Sequence, residues 1–146
     1  MIAASPARMN HPAEGVSVAE VMHRGVLGCT PDTPLSDVAR LMALNRMHCV
    51  IVRDEVEPAN TALWGVVSDV DLVAAASVRR LDEQLAGATA ATPLVTVRPE
   101  DTLRRAAQLM TEHANAHLVV VDAQTGGPLG VISTLDIARA LSGVDV

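Results

Sequence analysis

The sequence predicts an α/β protein built from two copies of one strand, helix, strand, strand, helix unit. Three observations carry this. The phrase GVVSDVD at 65–71 returns as GVISTLD at 130–136, each time where an apolar run gives way to a helical pattern. Pro31, Leu35, Ala39, Leu41, Met42 and Asp54 recur as Pro99, Leu103, Ala107, Leu109, Met110 and Asp122, each 68 positions on. Within each copy, short continuous apolar runs alternate with stretches of helical period. Between the two phrases the offset falls to 65, so the segment after Asp54 is three residues longer in the first copy. Such an insertion belongs in a surface loop. Two copies are too few for a solenoid, which leaves two half-domains packed on each other.

The elements follow in order. Residues 1–15 carry two prolines and a glycine without periodicity, the pattern of a mobile tail. VLGCT (26–30) is a short strand. PDTPLSDVARLMALNR (31–46) is a helix, with Thr33 placed to cap it and Pro34 at its first position, where a missing N–H costs nothing. Leu35, Val38, Leu41 and Met42 mark its buried face, and Asn45 or Arg46 its end. HCVIV (48–52) and LWGVV (63–67) are strands too continuously apolar for a solvent-facing sheet, so both faces should be covered. DVDLVAAA (69–76) is the helix that follows. The second copy supplies LVTV (94–97), the helix DTLRRAAQLMTEHA (101–114), the strands HLVVV (117–121) and LGVIS (129–133), and the helix TLDIARALSG (134–143), ended by Gly143. The expected division is a tail over 1–15, a first repeat over 16–77, a helical linker over 78–90 and a second repeat over 91–146.

Composition narrows the function. A net charge of −6, the absence of Phe and Tyr, and a single Trp64 serve neither phosphate neutralisation nor base stacking, which sets polymeric nucleic acid aside. Apolar residues make up 49% and charged residues 19%, so apolar surface is left for self-association and a homo-oligomer is expected. No run reaches the roughly 18 apolar residues that cross a bilayer, and the N-terminus lacks the pattern of a secretion signal, so a soluble cytoplasmic protein is expected. Cys29 and Cys49 are too far apart for a Cys-x-x-Cys motif and read as reduced, buried thiols.

The repeated phrase has two readings. Ser68 and Ser133 stand at strand-to-helix junctions, with Asp71 and Asp136 three positions on. In one reading each pair is a capping box: serine oxygen and acid satisfy first-turn N–H groups, a contribution on the order of 1 kcal/mol. In the other, each junction presents unpaired N–H groups and a fixed carboxylate to a ligand, the serine and helix start holding a phosphate and the aspartate accepting two ribose hydroxyls.

The doubled unit with its GVVSDVD and GVISTLD junctions resembles a tandem pair of cystathionine β-synthase domains, the CBS pair or Bateman module. The resemblance spans nearly all of 16–143. It extends to VAEVMHRGV, which is similar to the family's entry segment, and to TPDTPL and RPEDTL, similar to its strand-to-helix turn. It implies two repeats packed about a pseudo-twofold axis, helices forming the faces used for dimerisation, and a flat homodimer. It also implies a regulatory, non-enzymatic module that binds an adenosyl compound (AMP, ADP, ATP, S-adenosylmethionine or an NAD-like molecule) in clefts between the repeats and signals to a regulated protein. That ligand is an effector; no cofactor is implied. Carried over by position, Asp71 and Asp136 hold ribose hydroxyls, Ser68, Ser133 and Thr134 meet ribose or phosphate, and adenine lies on Val50 and Ile51 or on Leu118 and Val119.

Several residues depart from the family pattern. A basic residue is common between the serine and the aspartate, but here those positions are Asp69 and Val70, or Thr134 and Leu135. Asp69 adds a second carboxylate, so the Asp71 cleft should prefer a ligand of little or positive charge, or stay empty, while the Asp136 cleft suits a nucleotide better. Arg46, Arg98 and Arg139 are either phosphate ligands or solvated surface charges. Ile51 and Val119 stand where a proline is common. GATAAT at 87–92 stands opposite AEVMHR at 19–24, with Ala90 facing Met22 in the alignment, so the two clefts are not equivalent.

The remaining candidates are weaker. His113 and His117 have a metal-binding spacing for one helix face, but the helix should end near Ala114 and His117 should open a strand, so no metal site is expected. His23 and His48 have no carboxylate or cysteine at recognisable spacing. Met42, Met47 and Met110 read as core filler. Trp64 is placed either to stack on a ligand or to pack at an edge or dimer contact. No catalytic motif nominates a nucleophile. A ligand-free protein-interaction or dimerisation module, with the two phrases serving only as caps, is the rival to a sensor.

Overall fold

The computed structural model describes residues 15–54, 62–90 and 94–143. Most of the tail expected over 1–15 and of the insertion-bearing segment 55–64 lies outside them, as does the side chain of Trp64. The chain opens with helix α1 (Val18–Val21) and strand β1 (His23–Arg24). The first copy then gives β2 (Gly28–Cys29), α2 (Leu35–Asn45), β3 (Cys49–Asp54), β4 (Ala62–Ser68) and α3 (Asp69–Ala76), followed by a 3₁₀ turn (Leu81–Glu83) and α4 (Ala86–Thr89). The second copy gives β5 (Thr96–Val97), α5 (Leu103–His113), β6 (His117–Val121), β7 (Pro128–Ser133) and α6 (Thr134–Ser142). The doubled α/β unit of the sequence is therefore the fold.

Two compact units result. The first is Val26–Leu94; the second joins the segment after it to the N-terminal stretch ending at Gly25. In the first unit β2 runs parallel to β3 and β3 antiparallel to β4, with Cys49 opposite Ser68 and Ile51 opposite Val66. In the second the order is β1, β7, β6, β5, with His117 opposite Ser133 and Val119 opposite Val131. Strand side chains alternate, so each apolar run splits between two faces. Val50, Val52 and Val67 join Leu35, Val38, Met42, Ala75 and Ala86 in the helix-side core of the first unit. Leu118, Val120 and Ile132 join Val18, Met22, Leu103, Leu109 and Met110 in that of the second. Ile51, Val66, Val119 and Val131 stand on the opposite faces, and these too are buried, as continuous apolar strands require.

In space the chain divides differently from its repeats along the sequence. The segment after Gly15, read as the start of the first repeat, packs into the second unit: His23 pairs with Val131 and Arg24 with Gly130. Val18 N donates to Asp101 O at 2.8 Å and Ala19 N to Pro99 O at 2.8 Å. The segment read as a linker does the same for the first unit, where Ala86 N donates to Thr33 O and Gly87 N to Pro31 O, both at 2.8 Å, and Ala86 is fully buried. The reason is the same in both places. The turn before α2 or α5 offers unpaired carbonyls, and a short helix with one small or apolar face satisfies them.

Helix ends follow local chemistry with one correction. α5 is capped by Thr102, whose side chain accepts from Arg105 N at 3.1 Å. Thr33 does not cap α2. Pro34 is the N-cap, extended at ψ 142 and bridged to Leu85, and the Thr33 hydroxyl accepts from Thr30 N at 3.2 Å instead. Arg46 and Ala114 end α2 and α5 in the left-handed region at φ 52 and 53, and Gly143 ends α6 at φ 70. His113 therefore closes a helix while His117 opens a strand. Met42 and Met110 are core residues, as expected, whereas Met47 is only half-buried.

Cys49 is 2% exposed, and burial first, the Asp69 carboxylate second, push its thiol from 9.0 up to about 12. Cys29 is half-buried and raised less, again mainly by burial. A thiol that stays protonated in the fold but ionises when unfolded leaves stability level below the unfolded pKa and lowers it above. We therefore expect stability to fall from about pH 9 upward, Cys49 contributing at most about 1.4 kcal/mol per pH unit. Urea melts at about pH 8 and about pH 10.5 should show a smaller difference for Cys49→Ala than for the parent.

Candidate functional site

Each copy turns from its last strand into its last helix at the repeated phrase. Ser68 and Ser133 hold extended backbone at ψ 169 and ψ 166, and the next residue begins the helix. The hairpin register fixes what lies beside them. Asp69 N donates to His48 O and Thr134 N to Ala116 O, both at 2.9 Å.

Both phrases are capping boxes. Ser68 N donates to Asp71 Oδ2 at 2.8 Å, the Ser68 hydroxyl donates to the same oxygen at 3.0 Å, and Asp71 N donates back to Ser68 Oγ at 3.2 Å. Ser133 N donates to Asp136 Oδ2 at 2.8 Å and Asp136 N to Ser133 Oγ at 3.1 Å. In each case a single carboxylate oxygen does the capping. Oδ1 of Asp71 and of Asp136 makes no hydrogen bond among the described residues, and both side chains are half-buried. One oxygen is thus committed to the helix and the other remains an acceptor, which joins the two readings of the phrase.

The first junction is electrostatically more self-contained than its sequence suggests. Asp69 Oδ1 accepts from Val70 N at 2.8 Å, and Oδ2 lies 3.0 Å from Nδ1 of His48. The added carboxylate is therefore partnered, and His48 has the acidic partner that its sequence neighbourhood did not reveal. The missed signal is structural: a residue just before β3 must adjoin the residue just after β4. Asp69 and His48 line a groove of about 440 Å³ with Met42, Met47, Leu72 and Val73 of the same unit.

Other candidates separate. Val50 and Leu118 belong to the helix-side cores, turned toward the helices of their own units as strand alternation requires. Ile51 and Val119 face the other way. Thr134 is exposed at the first position of α6, and Arg139 is exposed one turn beyond Asp136. Arg98 follows Val97, which pairs with Val120, whereas Ser133 pairs with His117; within its unit Arg98 is thus at the opposite end of the sheet from Asp136. Arg46 is exposed at the end of α2. Among the described residues no group of three or more His, Cys, Asp or Glu is arranged to hold a metal, and no helix is long and apolar enough to cross a membrane.

Comparisons with known proteins agree with this architecture. The CBS domain family model matches twice, over residues 18–78 and 86–143. The CBS domain-containing protein CBSX3, mitochondrial, of Arabidopsis thaliana is 28% identical over 149 residues, covering 93% of this chain and 70% of the plant protein. A putative signal-transduction protein with CBS domains from Burkholderia ambifaria superposes with a TM-score of 0.74 at 21% identity, covering 90% of this chain and 98% of that one. The CBS domain pair of protein MJ0100, solved in complex with methylthioadenosine and S-adenosylmethionine, superposes with a TM-score of 0.74 at 15% identity over 88% of this chain and 97% of that one. With the family model matching two successive stretches that together span most of its length, the chain belongs to the CBS domain family and is a tandem CBS pair.

Proposed function

We propose that this chain is a non-enzymatic regulatory module that senses an adenosyl compound through its strand-to-helix junctions and transmits the occupied state to a partner protein. The observation that carries this is the carboxylate at each junction with Oδ2 bonded to its own backbone and Oδ1 uncommitted among the described residues. A ribose diol donates to such an oxygen, and the capping bonds hold it in place without further ordering. Binding of methylthioadenosine and S-adenosylmethionine by the similar MJ0100 pair supports an adenosyl ligand. The Asp136 junction is the better nucleotide site, because Thr134 adds a hydroxyl where the first junction has Asp69. Signalling rests on differential affinity for two arrangements of the protein.

Exposed apolar residues on the last helices, Val70 and Val73 at 65% and 72% and Leu135 at 50%, with Leu44 of α2 at 76%, support self-association as a homodimer. They equally support the rival, an interaction module in which the boxes are caps alone. Thermal unfolding with AMP, ATP, S-adenosylmethionine and NAD separates the two. A ligand present at about 100 times its Kd should add about 2.7 kcal/mol. Unfolding unchanged by all four, in a protein that still dimerises on light scattering, leaves the interaction module standing and removes the sensor.

A further inference from the structure

We propose that the cavity at the far end of the first sheet binds an oxyanion, a phosphate or carboxylate group, through Arg53. Gly28, Cys29, Thr30, Thr33, Leu41 and Arg53 line a cavity of about 500 Å³. Cys29 pairs with Val52, which sets Thr30 and Arg53 side by side where two parallel strands end; Ser68 pairs with Cys49 at the other end. The cavity is therefore distinct from the junction that carries Asp71.

Arg53 is half-buried, and its Nε is shielded from solvent without an acceptor among the described residues. Its guanidinium forms no ion pair among them either. A partly buried guanidinium without an anion is unfavourable, and its fork of N–H donors matches two oxygens of one phosphate or carboxylate. Gly28 lies directly beside it: a methyl group there would be in ordinary van der Waals contact, 3.5 Å from Arg53 Nε. The nearby Asp32 carboxylate accepts the Thr30 hydroxyl, while the Thr33 hydroxyl is 3.1 Å from that of Thr30. These contacts order the rim, and none of the ion pairs among the described residues joins Asp32 to Arg53.

The second unit provides the contrast. A cavity of about 340 Å³ recurs there around Val97, Leu109 and Val121, the counterparts of Cys29, Leu41 and Arg53. Valine replaces the arginine, and the lining holds two arginines, Arg98 and Arg105, together with two aspartates, Asp101 and Asp122. Among the described residues, the guanidinium nitrogen shielded from solvent without an acceptor is that of Arg53 in the first unit.

Amide NMR of the full chain, titrated with potassium phosphate and with potassium acetate against potassium chloride of matched ionic strength, tests this. Saturable shifts at Gly28, Thr30 and Thr33 are expected, with Arg53→Gln weakening the apparent affinity roughly tenfold or more. Arg53→Lys should be intermediate, keeping the charge without the fork. Asp136→Asn should leave the titration unchanged, so failure of this site and failure of the adenosyl site are read separately. Saturation by phosphate alone identifies a phosphate group, and saturation by acetate too a carboxylate. Linear drift, equal shifts in chloride, or an unaltered titration in Arg53→Gln overturns the proposal.

Discussion

Asparagine in place of Asp136 is expected to leave the unliganded protein within about 1 kcal/mol of the parent while removing most of the stabilisation that an adenosyl ligand confers. The asymmetry follows from the two oxygens. Oδ2 of Asp136 accepts from Ser133 N at 2.8 Å, and an asparagine oxygen can take over that bond. Its amide nitrogen then stands where Oδ1 stood, and an acceptor for a ribose hydroxyl has become a donor without charge. Of the gain of about 2.7 kcal/mol expected at about 100 times the Kd, most should vanish. Alanine should lose the same gain and also the cap, at about 1 kcal/mol. Calorimetric unfolding of parent, Asp136→Asn and Asp136→Ala, each with and without ligand, gives the comparison. If both variants keep the ligand-induced shift, Asp136 is a helix cap and nothing more. Asp71→Asn should change the response to AMP and ATP less than Asp136→Asn does, because the first junction has the Asp69 carboxylate, held by Val70 N and His48, where the second offers the Thr134 hydroxyl.

The repeated phrase led to both junctions because a capping box and a ligand carboxylate impose the same local spacing, and local spacing is what a sequence displays. Alternation was harder to see. Val50 and Ile51, or Leu118 and Val119, are neighbours within apolar runs; with every position apolar, the pattern does not say which residue faces the helices. Only the pairing of Cys49 with Ser68, and of His117 with Ser133, assigns the faces. The His48 and Asp69 pair was hidden for the same reason, since 21 residues separate two groups that the hairpin register makes adjacent. Entry segments posed a different problem. Nothing local in VAEVMHR says that it will dock onto the other copy, because its Ser17 and Glu20 cap, with Ser17 N donating to Glu20 Oε2 at 2.7 Å, forms wherever the helix lies. The mismatch of Met22 with Ala90 was the one clue, and its meaning is spatial: Met22 packs beside Gly130.

That contact makes Gly130→Val the substitution with the largest expected loss of stability. A Cβ at Gly130 would run into the carbonyl oxygen of His23, lie 2.5 Å from Met22 Cε and approach Arg24 Cα at 3.1 Å. Two of these neighbours are backbone atoms of β1, held by pairing with β7 and by the bond from Gly25 N to Leu129 O at 3.0 Å, so they do not yield as a flexible side chain would. The glycine is required by close approach and not by a special dihedral. Overpacking a core ordinarily costs about 1–3 kcal/mol. Here relief requires β1 to leave the sheet, withdrawing Met22 and Val18, each contributing roughly 1.5–3 kcal/mol when fully buried, so a loss of about 3 kcal/mol or more is expected. Alanine should lose less than valine, since only its Cβ must be accommodated. Hydrogen exchange should locate the damage, accelerating at Val18 and Met22 and leaving the β3 amides of the first unit protected. A Gly130→Val protein that unfolds within about 1 kcal/mol of the parent would show that β1 moves aside freely, and the entry segment would then not be part of the second unit's core.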